Sequence, residues 1–194
     1  MGKQFPALEK KHIKFIQAQK LFFVGTAAQE GRINVSPKGM DSLRVLDSNT
    51  VAWLNLTGSG NETSAHVQQL PRMTLMLCAF EGSPVILRMY GTATVIHQGD
   101  RDWEQHISLF PALPGSRQIF VLKIDLVQTS CGSGVPLFDY TNDREGLNQW
   151  AERKGDRGIQ KYWSKNNQVS LDGQPTEILE RSGVEKQPSK FPFF

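Results

Sequence analysis

What most constrains this chain is the spacing of its apolar runs. At least six short stretches have strand-like composition: Leu21–Ala27, 32–36, Val51–Leu56, Met73–Phe80, Val85–Ile96 and Gln118–Ser130. Most are joined by a few turn residues, such as Gln29-Glu30-Gly31 and Glu81-Gly82-Ser83-Pro84. Connections that short can only return a strand antiparallel to its neighbour. Only the stretch from 57 to 72 reads as a helical crossover. The pattern therefore predicts a mainly β fold with a few peripheral helices, a small antiparallel barrel rather than a doubly wound parallel sheet.

Residues 8–19 predict an amphipathic helix with Leu8, Ile13 and Ile16 inward and Lys10, Lys11 and Lys14 outward. Residues 61–69 and 100–109 predict short helices. Pro37-Lys38-Gly39 is expected to interrupt the second strand. After Cys131 the glycines and Pro136 break the backbone, and 143–163 reads as a polar helix. The final stretch, GVEKQPSKFPFF, has little pattern, and its three terminal Phe are expected to dock on something.

With 194 residues, the chain is one domain's worth of sequence. The net charge of +3 arises in residues 1–32, which hold six basic and two acidic side chains. That is too little, and too local, for a dedicated nucleic-acid binder. No apolar run approaches the ~20 residues of a membrane span. The first twenty residues carry no apolar stretch of signal type, and Pro6 removes a myristoylation pattern. Two cysteines, Cys78 and Cys131, make neither a disulfide framework nor a zinc site, so a reducing, cytoplasmic setting is expected. The four histidines have no metal-ligand spacing, and no metal site is expected.

Three constellations could carry chemistry. The first is Gly58-Ser59-Gly60-Asn61-Glu62-Thr63, between a strand and a helix. Two glycines around a serine at a helix mouth offer backbone N–H donors, reinforced by the helix dipole. Ser59, Asn61 and Thr63 add side-chain donors. On local sequence this reads equally as a phosphate cradle or as a capped turn. A dinucleotide-binding fingerprint would need a third glycine where Thr63 stands and repeated strand–helix alternation, and a Walker A loop would need Gly-Lys-Ser/Thr. The second is Asn34-Val35-Ser36-Pro37-Lys38-Gly39, where Lys38 either polarises an electron-accepting ring or faces solvent from a turn. The third is Arg88 in an apolar strand, which either faces outward or pairs with an anion.

In order, the segments Ser36-Pro37-Lys38-Gly39, GSGNETSAH at 58–66, CAFEGSP at 78–84, LRMYG at 87–91 and SCGSGVP at 130–136 resemble the pyridoxamine 5′-phosphate oxidase-like family of FMN-binding split barrels. The likeness runs from about Leu21 to Pro136, with Ser170-Leu171-Asp172-Gly173 as a further echo. It implies an antiparallel split barrel over 1–136, including the N-terminal helix, with 137–194 a helical extension packed on the same domain. It also implies a homodimer with FMN at the subunit interface. The resemblance assigns Ser59, Gly60, Asn61 and Thr63 to the FMN phosphate and lays Asn34, Val35, Ser36, Pro37 and Lys38 along the flavin ring. Arg88 is expected at the phosphate, and Arg44 is a further candidate near the ring-side strand.

The chain departs from the true oxidases at three places. Gly60-Asn61-Glu62 stands where they carry an Arg-Lys pair, only Arg88 remains of a paired-Arg strand motif, and no Arg-x-His segment closes the sequence. The implied function is thus an FMN-dependent oxidoreductase passing hydride between flavin and a small-molecule substrate. A non-catalytic module for flavin or another phosphorylated ligand is the alternative, and a Rossmann-type NAD-binding protein a more distant one. Cys131 reads as a small residue in a tight turn, Cys78 as core, and Trp150 or Trp163 as a speculative flavin lid.

Overall fold

The computed structural model describes residues 2–184. Among them, eight strands form one antiparallel sheet: β1 (Lys3–Phe5), β2 (Phe22–Thr26), β3 (Asn34–Lys38), β4 (Leu43–Asp47), β5 (Thr50–Leu56), β6 (Arg72–Cys78), β7 (Val85–His97) and β8 (Ser116–Cys131). The order across the sheet is β3-β2-β6-β7-β8-β5-β4, with β1 beside β8. Five helices surround it: α1 (Lys10–Ala18), α2 (Glu62–Gln69), α3 (Trp103–Ile107), α4 (Gly146–Asn166) and α5 (Ile178–Arg181).

The sheet is curled into a barrel, and one contact proves it. Strands β2 and β5 lie four places apart, roughly 19 Å on a flat sheet at ~4.8 Å per strand. Yet the rings of Phe22 on β2 and Trp53 on β5 meet edge to face with centroids 6.2 Å apart. Trp53 in turn stacks on Phe120 of β8 at 4.6 Å. Around these rings Val24, Leu75, Leu87, Met89, Leu122 and Val127 form a fully buried core. Alternation along the strands supplies it: in β2 Phe22, Val24 and Thr26 point in, and Phe23 and Gly25 point out. The long β7–β8 ladder slips register between Tyr90 and Gly91. A Cβ on Gly91 would stand 1.9 Å from the Lys123 carbonyl oxygen, so only glycine fits at the bulge.

The predicted hairpin of the first two strands is present, with Phe22 opposite Lys38 and Thr26 opposite Asn34. Its second strand, however, runs through Pro37 to Lys38 instead of ending at Ser36. The sheet allows this because β3 is an edge, where a missing N–H costs no ladder bond. Strands β1 and β4 were not expected; β4 is a short edge strand broken by charge, so its apolar pattern is weak. Cys131 closes β8 rather than sitting in a loop, and it is exposed, whereas Cys78 is buried as expected. Helix α4 is kinked where Gly155 adopts φ +60°. Trp163 is buried, its indole N–H donating to Thr57 Oγ1, so it cannot lid a ligand. The three terminal Phe lie outside the described residues. Among the described residues no helix is long and apolar enough to cross a membrane.

Candidate functional site

The hairpin β2–β3 decides which side chains face each other. Asn34, Ser36 and Lys38 share the inner face with Thr26, Val24 and Phe22, and Val35 and Pro37 share the outer face with Gly25 and Phe23. The three inner residues line a pocket of about 280 Å3 whose opposite wall is the loop Gly58–Asn61 and the start of α2. Ser59, Gly60, Asn61 and Thr63, predicted as a cradle, all line it, and Asn34 Nδ2 donates to Thr63 Oγ1 at 3.3 Å across it.

The loop is held from behind. Asn167, at the end of α4, donates through Nδ2 to the carbonyls of Gly58 and Ser59 at 3.1 and 3.2 Å. Its own carbonyl accepts from Asn61 Nδ2 at 3.2 Å. The Gly60 carbonyl accepts from Arg117 Nη2 at 3.0 Å. With the carbonyls occupied, the N–H groups of the loop are the polar edge left over. Asn61 is spent on Asn167 and makes no cap, so the first turn of α2 keeps its unpaired donors and its positive dipole end at the pocket. The Glu62 carboxylate accepts the Leu171 N–H at 2.9 Å.

Two cations complete the site. Lys38 Nζ donates to Asn55 Oδ1 at 3.2 Å and lies 5.3 Å from the centre of the Trp53 ring. Burial, with the neighbouring Arg117 charge, pulls its pKa down to about 8. Arg117 is the second residue of β8 and is only 2% exposed. Burial lowers its pKa to about 9. Its Nε and Nη1 have no hydrogen-bond partner, and among the described residues no carboxylate pairs with either cation. A buried guanidinium with orphan donors and no counter-charge is a costly arrangement unless an anion enters. The pocket thus gathers two cations, a helix N-terminus, loop N–H groups and the hydroxyls of Ser59 and Thr63, along with the Glu62 carboxylate that accepts the Leu171 N–H.

The other expected residues lie elsewhere in this chain. Val35 and Pro37 point to the outer face, as does Arg88, whose Nη1 donates to Ser130 Oγ at 3.2 Å. Arg44 on β4 is folded onto Asp41, the Leu109 carbonyl and the Phe110 ring, away from the pocket. Sequence reasoning missed Arg117, Asn55 and Asn167. Arg117 stands one residue before the predicted strand start, where an arginine reads as solvated. His66 lies on the buried side of α2, with Nδ1 3.1 Å from Thr26 Oγ1.

Three comparisons agree with this architecture. The model of the pyridoxamine 5′-phosphate oxidase family matches residues 8–131. A pyridoxamine 5′-phosphate oxidase family protein of Aspergillus flavus, ustO, is 39% identical over 175 residues, spanning 81% of this chain and 70% of its own. Among solved structures, a putative pyridoxamine 5′-phosphate oxidase of Lactobacillus delbrueckii superposes with TM-score 0.51 at 21% identity, over 63% of this chain and 94% of that one. A variant of HupZ from Group A Streptococcus gives TM-score 0.51 at 16% identity, over 63% of this chain and 98% of that one. At such identities the two structures speak for the fold alone.

Proposed function

The chain belongs to the pyridoxamine 5′-phosphate oxidase family, and from that premise we propose that it is an FMN-binding flavoprotein and an oxidoreductase passing hydride between FMN and a small-molecule substrate. The observation that carries this reading is the buried, unpaired Arg117 guanidinium beside the Gly58–Thr63 cradle. Its orphan donors fit a phosphate, whose oxygens accept from a guanidinium fork. Ser59, Gly60, Asn61, Thr63 and Arg117 would hold that phosphate. Asn34, Ser36 and Lys38 would lie along the ring. When bound, FMN supplies the redox chemistry. The residues grip, orient and present charge: the Lys38 ammonium favours negative charge on the reduced ring, and Trp53 beneath it keeps water away.

The pocket of about 280 Å3 falls at or below the ~300–1,000 Å3 of complete ligand sites, so a second subunit is proposed to close it. The outer face of β3-β2-β6-β7 offers the means. It carries Val35, 66% exposed on an unpaired edge strand, with Phe23, Met76 and Arg88 in adjacent register. Val35, Pro37 and Arg88 would then serve the site from this interface in a homodimer. Residues 1–136 form the FMN-binding barrel in this proposal, with 137–194 an extension whose Asn167 braces the cradle. The free thiols Cys78 and Cys131 accord with a cytoplasmic setting.

Cofactor extraction with mass identification tests the reading. Purified protein is expected to be yellow, or to take up added FMN, and to be bleached by NADPH or another hydride donor. A colourless protein that refuses FMN overturns it. Bound flavin that no donor reduces would leave the carrier alternative instead of an enzyme.

A further inference from the structure

A row of buried polar side chains starts at Asn55 in the pocket wall and leads away from it. Asn55 of β5, Gln118 of β8 and His97 of β7 stand abreast in register, one above the next on three adjacent strands. They are 3%, 0% and 0% exposed. The row follows the Trp53–Phe120 rung and closes that end of the core with amides instead of hydrocarbon. Its contacts are continuous: Lys38 Nζ to Asn55 Oδ1 at 3.2 Å, Asn55 Nδ2 to Gln118 Oε1 at 3.2 Å, and Gln118 Nε2 to His97 Nε2 at 2.8 Å. Gln118 Nε2 also donates to Ser64 Oγ at 2.9 Å.

The direction of this row is forced from one end. An ammonium has only donors, so the group facing Lys38 must be the Asn55 oxygen. The Asn55 nitrogen must then face Gln118, which presents its oxygen. The Gln118 nitrogen is left to face His97, whose Nε2 must accept. His97 is therefore neutral and carries its proton on Nδ1, which is buried and has no hydrogen-bond partner among the described residues, a smaller cost than an amide facing the ammonium with its own N–H. Reversing any amide would set donor against donor somewhere along the row, at a cost no buried site tolerates cheaply.

We propose that His97 is a positioning residue for the Lys38 ammonium, acting through Gln118 and Asn55. The inference rests on the flavin reading only for what Lys38 does once positioned; the coupling itself concerns the protein alone. The charged groups around His97 are compatible with a neutral ring. Its backbone N–H donates to Asp100 Oδ2, but Asp100 is paired with Arg181 of α5, and Arg117 lies on the adjoining strand. The carboxylate is thus already matched by a cation. The imidazole acts here as an acceptor that pins Gln118, and through it pins the oxygen offered to Lys38.

The test uses the full chain without flavin and reads 15N shifts of the histidine rings and of lysine Nζ. Wild-type protein at pH 7 is expected to show His97 as the Nδ1-protonated tautomer. Ser64 Oγ, which donates to the Thr176 carbonyl, also accepts from Gln118 Nε2, so in Lys38→Met combined with Ser64→Ala both constraints on the amide are gone and both tautomers of His97 should appear. In Gln118→Met, Lys38 should titrate about one pH unit lower, because its ammonium loses an oriented acceptor. In that variant FMN should bind about 3–10-fold more weakly. An unaltered His97 tautomer in Lys38→Met combined with Ser64→Ala overturns the proposal, even if Gln118→Met fails to fold. Because these spectra need no flavin, a protein that never binds FMN sinks the functional reading while leaving the coupling measurable. A protein that binds FMN with an unresponsive His97 sinks the coupling alone.

Discussion

The two faces of strand β3 are built to different degrees of completion. The inner face places Asn34, Ser36 and Lys38 against a loop whose carbonyls are already tied by Asn167 and Arg117. The polar groups left without a partner there are two donors of Arg117 and the side-chain oxygens of Asn61 and Asn167. The outer face places Val35 and Pro37 on an open sheet edge, in line with Phe23, Met76 and Arg88. On that face Val35 is exposed and Phe23, Met76 and Arg88 are half-buried. The difference separates two kinds of site residue: those that bind in one subunit, and those that require a second one.

The largest effect tests the inner face. Charge-assisted hydrogen bonds are worth about 1.5–3 kcal/mol each, so losing the Arg117 fork is expected to weaken FMN binding about 100-fold. The informative variant is Arg117→Met, because it also removes an uncompensated buried charge. The apoprotein should keep or gain thermal stability while affinity collapses. Loss of stability with unchanged FMN affinity would show that the guanidinium serves the fold and not the ligand.

The next test is of the outer face. Val35→Glu places a carboxylate on the proposed interface without touching the pocket. Sedimentation velocity should show monomer in place of dimer, and FMN affinity should fall about tenfold and become insensitive to protein concentration. Arg88→Ala should weaken binding only in the dimer. If Val35→Glu changes neither assembly nor affinity, the outer face is not the interface.

The contrast also explains what could be read from sequence. The alternating apolar residues of β2, β5, β6, β7 and β8 announced the barrel, because burying one face of a strand leaves a period of two. Gly58-Ser59-Gly60 announced a loop with free donors. The strand through Asn34–Lys38 was visible, but which of its residues face the pocket depended on a register only the hairpin sets. Arg117 was invisible for another reason. Arginine at a strand end reads as solvated, and its burial comes from the cradle loop and the helical extension closing over it. Asn167 contacts Gly58 across 109 positions, and no local pattern reports such a contact.

Asn167→Ala probes that long reach. It frees the Gly58 and Ser59 carbonyls but leaves the Asn167 backbone carbonyl that accepts from Asn61, so it should cost about 1–3 kcal/mol of stability in chemical denaturation. FMN affinity should fall only several-fold, since the donors remain but are less well held. A loss of affinity as large as that of Arg117→Met would move the ligand's grip from the cation to the loop.

The smallest effect is in the pH dependence, and its sign is what matters. Lys38 titrates near 8 in the apoprotein, below its ordinary 10.5, because it is charged in a buried place. The cost of that charge is present at pH values below about 8, and it is lifted as pH rises toward 10.5, so Lys38 makes the apoprotein more stable with rising pH in that window. Arg117 acts in the same direction at higher pH, from about 9 upward. An anion bound beside Lys38 favours its protonated form and raises its pKa. FMN affinity should then be flat below pH 8 and decline above it, by at most about tenfold per pH unit. Apoprotein stability and ligand affinity thus move in opposite directions over one interval. Calorimetric titrations between pH 7 and 9.5 on wild type and Lys38→Met isolate the contribution, since Arg117 is common to both. If the wild-type decline persists undiminished in Lys38→Met, the inner face holds its ligand without the lysine, and the ammonium belongs to the amide row alone.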